Sequence, residues 1–409
     1  MYLWGFEQQL QDYHPTVTLP YWDWSQSTPQ QIAEGYIPEA YRCFVTDEML
    51  SGLGGKVGAA TLKALDGLQG QTFNSITRFW AAAGDVPGDE QPAIVDALLA
   101  VNPLFCEQRY PGEFGPGGSL TTTFHHHYPT PQDMEGILAV DTWRNFGGGM
   151  DVDQSFGVLD MDPHNTMHIW IGGCPNGIAN PPTGLMLSNL TTAFDPIFWA
   201  HHGNIDRLWA RWQELHPGAD PPDPADVLQG VSSTVADSLS ITKLGYEYAA
   251  DTHLLLADDA PPASTLASPA AGAKPAVLAR HRRAEVRLHR VRQPAQSFVV
   301  RVFLNDPGAD ASTPVEGNDH YAGHFSLFGH GPCVGGPGHC EPRPRTRPFD
   351  TRGQQHNEPW NIRFDVSDAV SGLVAKGATD IDVTLVALAP GDDAAPKLDL
   401  DGVTLSFHH

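Results

Sequence analysis

The chain has 409 residues, enough for two or more domains with packed cores. Its 48 acidic residues outnumber 24 basic ones, and the formal net charge of −24 disfavours nucleic acid and anionic membranes as partners. No apolar run approaches the length of a membrane span, and five cysteines in so long a chain are not a disulfide framework; the odd count leaves at least one unpaired.

At the start, Leu3, Phe6 and Leu10 make one apolar face of a helix that Pro15 stops. No charged segment leads into an apolar one there, so the stretch does not read as a secretory signal, and no compartment is assigned. Leu19-Pro-Tyr-Trp-Asp-Trp24 follows. Further helices are expected over 56–68 and 91–101, with a Gly/Pro loop at 111–118. Cys43 and Cys106 are either a structural pair or two buried thiols. His125, His126 and His127, beside Tyr-Pro, read as a solvated loop, and Gly147-Gly148-Gly149 as a flexible approach to what comes next.

Residues 160–212 carry the chemistry. His164 and His168 stand four apart, so a helix places them on one face with Cβ atoms ~5–6 Å apart. In the second segment Phe198, His202, Ile205, Leu208 and Trp212 recur at helical spacing, which turns His202 inward. Two packed helices would then aim three imidazoles at one ion. Neutral nitrogen donors without thiolate suit copper, zinc, iron or nickel and argue against magnesium or calcium. A lone His-x-x-x-His pair is weak; combined with Phe194-Asp-Pro-Ile-Phe-Trp-Ala-His-His-Gly-Asn-Ile-Asp-Arg-Leu-Trp209 it is specific.

These two segments resemble the second copper half-site (CuB) of the type 3 copper proteins: tyrosinases, catechol oxidases (polyphenol oxidases) and molluscan-type haemocyanins. The resemblance implies copper ligands at His164, His168 and His202, with His201 a neighbour rather than a ligand. It runs from Met1 to about Tyr248, where the Tyr246–Tyr248 pair matches the end of the family's catalytic domain, and continues more weakly to the C-terminus. The first helix and Leu19–Trp24 resemble the segment around the first half-site (CuA), whose ligands in relatives lie before it. The expectation is therefore of a chain cut before the CuA ligands, with only the CuB set of a two-copper centre present.

Other roles follow from the same resemblance. Asp160 stands where relatives often place a Glu that holds a water, and a carboxylate there can take a proton; Asp162 competes for that role. Asn165 either orients that water or caps the start of its helix. Phe198, one turn before His202, stacks on an imidazole or packs the core. Asp206 either accepts from a ligand imidazole or pairs with Arg207. Met186–Leu190 form the wall where substrate enters.

Beyond Tyr248, residues 261–276 are rich in Ala and Pro and read as linker. The basic run Arg280–Arg292 reads as a strand or linker pairing with the acidic body rather than a nucleic-acid site. Apolar runs at 297–304, 361–366, 381–388 and 402–407 suggest an antiparallel sandwich. Residues 321–329, Tyr-Ala-Gly-His-Phe-Ser-Leu-Phe-Gly, resemble the family's C-terminal β domain, which covers the copper site and can hold the enzyme latent. His324, His330, Cys333, His339 and Cys340 form a disulfide loop or, alternatively, a second metal site.

The expected architecture is multidomain. A mainly α-helical type 3 copper domain, an antiparallel helix bundle around the site, occupies 1–250. A linker spans 251–293, and a C-terminal antiparallel β-sandwich 294–409. The expected function is copper-dependent oxidation of phenols or o-diphenols to o-quinones with O₂. An O₂-binding protein of haemocyanin type and an inactive half-site scaffold are the alternatives. Phenol and O₂ are the expected partners, without nucleic acid or membrane; the oligomeric state is not readable.

Overall fold

A computed structural model describes residues 1–115, 128–148, 156–175, 184–221, 223–228, 233–248, 283–329, 359–388 and 398–408. Helices fill the N-terminal part and antiparallel sheets the C-terminal part.

The first helix, α1 (Tyr2–Gln11), ends before Pro15 as its sequence requires. It buries no residue fully and instead lies along a later helix, stacking Tyr2 and Phe6 on Trp199 at centroid distances of 5.4 and 3.7 Å. Two more expected helices form, α2 (Ala59–Asp66) and α3 (Gln91–Val101). With residues 43–53 and 68–83 they close a separate apolar core around Leu53, Leu65, Phe79, Ile94 and Leu98. Cys43 and Cys106 are free buried thiols and not a disulfide. Burial pushes the Cys43 and Cys106 thiols up to about 12, which leaves them unreactive.

Two helices frame the histidine segments: α4 (Asn165–Gly172), buried along its whole length, and α5 (Ile197–Leu215). Pro163 lacks the amide donor a regular turn needs, and the chain widens to π-helical geometry over Asp160–His164 before α4 begins. At the head of α5 the buried Asp195 accepts the Ile197 amide and is gripped by the Nε–Nη2 edge of the buried Arg109 guanidinium, Nε lying 3.0 and 2.9 Å from the two carboxylate oxygens. Arg109 also donates to the Tyr41 carbonyl at 2.8 Å. This ion pair ties the α2–α3 region to the helix that carries His201 and His202.

Among the described residues six strands follow: β1 (Arg283–Val291), β2 (Phe298–Leu304), β3 (Tyr321–Leu327), β4 (Trp360–Asp365), β5 (Val383–Leu388) and β6 (Gly402–His408). They form two three-stranded antiparallel sheets, ordered β4-β1-β6 and β3-β2-β5. β1 lies inside the stretch expected to be linker. Its alternation decides this: Ala284, Val286 and Leu288 turn into the core while Arg283 and Arg287 pair with Asp365 and Glu285. Arg290 and Arg292 pair with Asp399 and Asp401, so the basic run meets the acidic body.

β2 is buried on both faces, which explains its unbroken apolar sequence. Phe298, Val300, Val302 and Leu304 face a core shared by the two sheets, while Val299 and Phe303 join the core of the helical part. The β3-β2-β5 sheet is thereby laid against the histidine segments. The Cys333–Cys340 loop, with His330 and His339, falls outside the described residues, as do His125–His127.

Candidate metal centre

α4 and α5 bring four imidazoles together. One ring nitrogen from each of His164, His168, His201 and His202 lies within 4.8 Å of the others; among the described residues this is the one cluster of three or more such donors able to hold a metal ion. His168 and His201 are fully buried and His164 and His202 half-buried. The expected trio is thus assembled, and with it His201, the residue that the resemblance leaves as a neighbour.

The hydrogen bonds on the far side of each ring decide which nitrogen faces inward. His168 Nδ1 meets the Met186 carbonyl at 3.1 Å, and a carbonyl only accepts, so Nδ1 carries the hydrogen and Nε2 the lone pair. His164 Nδ1 lies 2.9 Å from Asp160 Oδ1 and 3.0 Å from Asn165 Oδ1, both acceptors, which again leaves Nε2 free to bind. Nε2 of His168 stands 3.1 Å from Nε2 of His202. Two imidazole nitrogens on one ion, each ~2.0–2.1 Å from it, are themselves ~2.9–3.4 Å apart at angles between square and tetrahedral, so the pair is already set for a shared ion.

Burial, first, and then the neighbouring imidazoles drive the pKa values of His168, His201 and His202 well below the usual histidine range. Neutral imidazoles are what a metal requires.

Around the rings, Phe198 tilts over His202 at a centroid distance of 4.1 Å and approaches His168 at 6.1 Å. Asn165 makes no cap bond on its helix; besides the His164 contact it donates from Nδ2 to the Ser326 carbonyl of β3 at 2.9 Å. Thr166 meets the Ser326 hydroxyl at 2.6 Å, and Asp162 pairs with His324 of β3 at 2.9 Å. Asp162 is therefore turned to the sheet and away from the rings. Asp206 accepts from the Tyr246 and Tyr248 hydroxyls, and Arg207 pairs with Asp23 at 2.9 Å.

Just past β3, Phe328 seats its ring on the cluster, with centroids 4.5 Å from His168 and 6.5 Å from His164. A cavity of about 120 Å³ remains beside His164, bordered by Asp160, Asn165, Phe156, Ser326, Phe328 and Trp360. Three partners were not anticipated from the residues: the Met186 carbonyl, Trp24 against His201, and Phe328 over His168.

The profile described as "Common central domain of tyrosinase" matches residues 1–215, more than half of the chain. This chain belongs to the tyrosinase family. Its tyrosinase relatives include that of Streptomyces glaucescens, 28% identical over 237 residues, or 55% of this chain and 66% of that protein. That of Streptomyces lincolnensis is 27% identical over 244 residues, 55% of this chain and 67% of that protein. The chain thus spans about two thirds of the length of these tyrosinases. A recombinantly expressed latent aurone synthase (polyphenol oxidase) shares the fold, with a TM-score of 0.52 and 15% identity over 99% of this chain and 74% of that one. Tyrosinases are copper proteins, and the four-histidine cluster is able to hold a metal.

Proposed function

We propose that this chain carries the CuB half of a phenol-oxidising copper site, with His164, His168 and His202 as the ligands, and that its sheets keep that site covered. The observation that carries the reading is the convergence of the ring nitrogens, with the far nitrogens of His164 and His168 tied to acceptors. Copper, when bound, supplies the redox step that passes two electrons from an o-diphenol to O₂. Each diphenol gives up two protons with its two electrons, and two diphenols together reduce one O₂ to two waters.

The chain's own groups would manage the rest. Asp160 borders the cavity while holding His164, so it is placed to take a phenolic proton there. Asn165 holds the His164 ring and ties it to β3. Phe198 and Phe328 exclude water from the ligand rings. We read the two sheets as faces of one sandwich, with the domain boundary before β1.

The seat of Phe328 favours a latent oxidase. Removing the sheets by limited proteolysis would then raise catechol oxidation. The deciding experiment measures copper per chain and catechol turnover, before and after proteolysis, on this chain and on one carrying upstream sequence. Two coppers with turnover after proteolysis support the oxidase. Two coppers that bind O₂ without turnover would replace it with an oxygen carrier, and one copper or none in both forms would leave a scaffold.

A further inference from the structure

One imidazole of the cluster is held by a bond that the metal reading does not use. Trp24 Nε1 lies 3.1 Å from His201 Nδ1, both side chains being fully buried. An indole N–H only donates. The His201 Nδ1 must therefore offer its lone pair, and in the neutral ring the hydrogen sits on Nε2. That is the reverse of His164 and His168, whose Nδ1 atoms face acceptors. Nε2 of His201 is buried without a well-formed hydrogen bond, and the main chain of His164 acts on this ring as an acceptor.

The placement of Trp24 is built rather than incidental. The Trp22 amide donates to the Ala200 carbonyl at 3.0 Å, and Asp23 pairs with Arg207 at 2.9 Å, so bonds to α5 on both sides of His201 fix the residues just before Trp24. Gly203 completes the approach: a Cβ there would stand 2.7 Å from the Pro20 carbonyl, closer than such contacts occur.

We propose that Trp24 is a positioning residue for the metal centre: by fixing His201 as the Nε2–H tautomer it bars a fourth imidazole from the ion and leaves the coordination to His164, His168 and His202. This rests on the three-ligand copper reading. Without the indole, His201 could carry its hydrogen on Nδ1, turn its Nε2 lone pair inward and coordinate. The outcome would be a centre with four nitrogen donors and less room for an exogenous ligand.

Two measurements test this. In the ¹⁵N-labelled metal-free protein, NMR should show the hydrogen of His201 on Nε2; a hydrogen on Nδ1 overturns the proposal whatever the variants do. With Cu(II) added, pulsed electron paramagnetic resonance should count three coordinated imidazoles in the wild type and in H201N, whose Oδ1 can still accept from Trp24. W24F should show a fourth imidazole that W24F/H201N lacks. Loss of one imidazole signal in H201N relative to the wild type would overturn the proposal. If the wild type binds no copper, the three-ligand reading is what fails, and the tautomer still reports on Trp24.

Discussion

The Nε2 atoms of His168 and His202 face each other at 3.1 Å across the packing of α4 on α5. Two buried nitrogens so close, both held neutral by burial, form a pair that an ion would bridge without moving the backbone. Replacing either ring by alanine removes a donor from a site otherwise unchanged in charge. H168A or H202A should lower copper affinity by at least 100-fold, measured by competition against a chelator of known affinity, while far-ultraviolet circular dichroism stays native. An affinity within tenfold of the wild type would show that the cluster is not the copper site.

Phe328 lies on His168 from the sheet side, and the cavity beside His164 is small. Access to the ion should therefore be slow in the intact chain. F328A should release bound copper to an external chelator at least several-fold faster, with little change in the urea unfolding midpoint, since the half-buried ring carries little of the core. Equal release rates would place the barrier elsewhere.

How much of this was legible beforehand depends on how far apart in the chain the interacting groups lie. His164 and His168 share a helix face by spacing alone, and His202 faces inward because its stripe is apolar, so the trio followed from local periodicity. The Trp24–His201 bond spans 177 positions and has no local signature. β1 stayed open between strand and linker for another reason. Its arginines dominate the composition of the run, and the period-two signal of Ala284, Val286 and Leu288 is short beside them. The tyrosine partners of Asp206 were not legible because Tyr246 and Tyr248 lie on a segment whose path no spacing rule gives.

The Arg109–Asp195 pair is a structural linchpin away from the rings. Both side chains are inaccessible to water, and Asp195 also caps the Ile197 amide. Removing one partner of a buried pair leaves the other charge without compensation, at a cost of about 3–5 kcal/mol. D195N should destabilise the chain by that order in urea unfolding and loosen the start of α5, so that copper affinity falls as well. A loss under about 1 kcal/mol would mean that Arg109 finds another acceptor.

Acid should weaken the metal-free protein through its own histidines. Burial holds His168, His201 and His202 well below the ordinary value of 6.5, whereas the unfolded chain titrates them near it. Above about pH 6.5 both states are neutral and these rings contribute no pH dependence. Below it the unfolded state takes up protons that the native state refuses, so stability falls with pH until the native rings also protonate. Each ring adds a slope of up to about 1.4 kcal/mol per pH unit, and three together up to about 4. Urea midpoints measured from pH 8 to 5 should be flat at first and then drop. H168A should show a shallower drop than the wild type. A wild-type midpoint that stays flat down to pH 5 would mean that these rings protonate in the folded chain, and the neutral cluster on which copper binding depends would not exist.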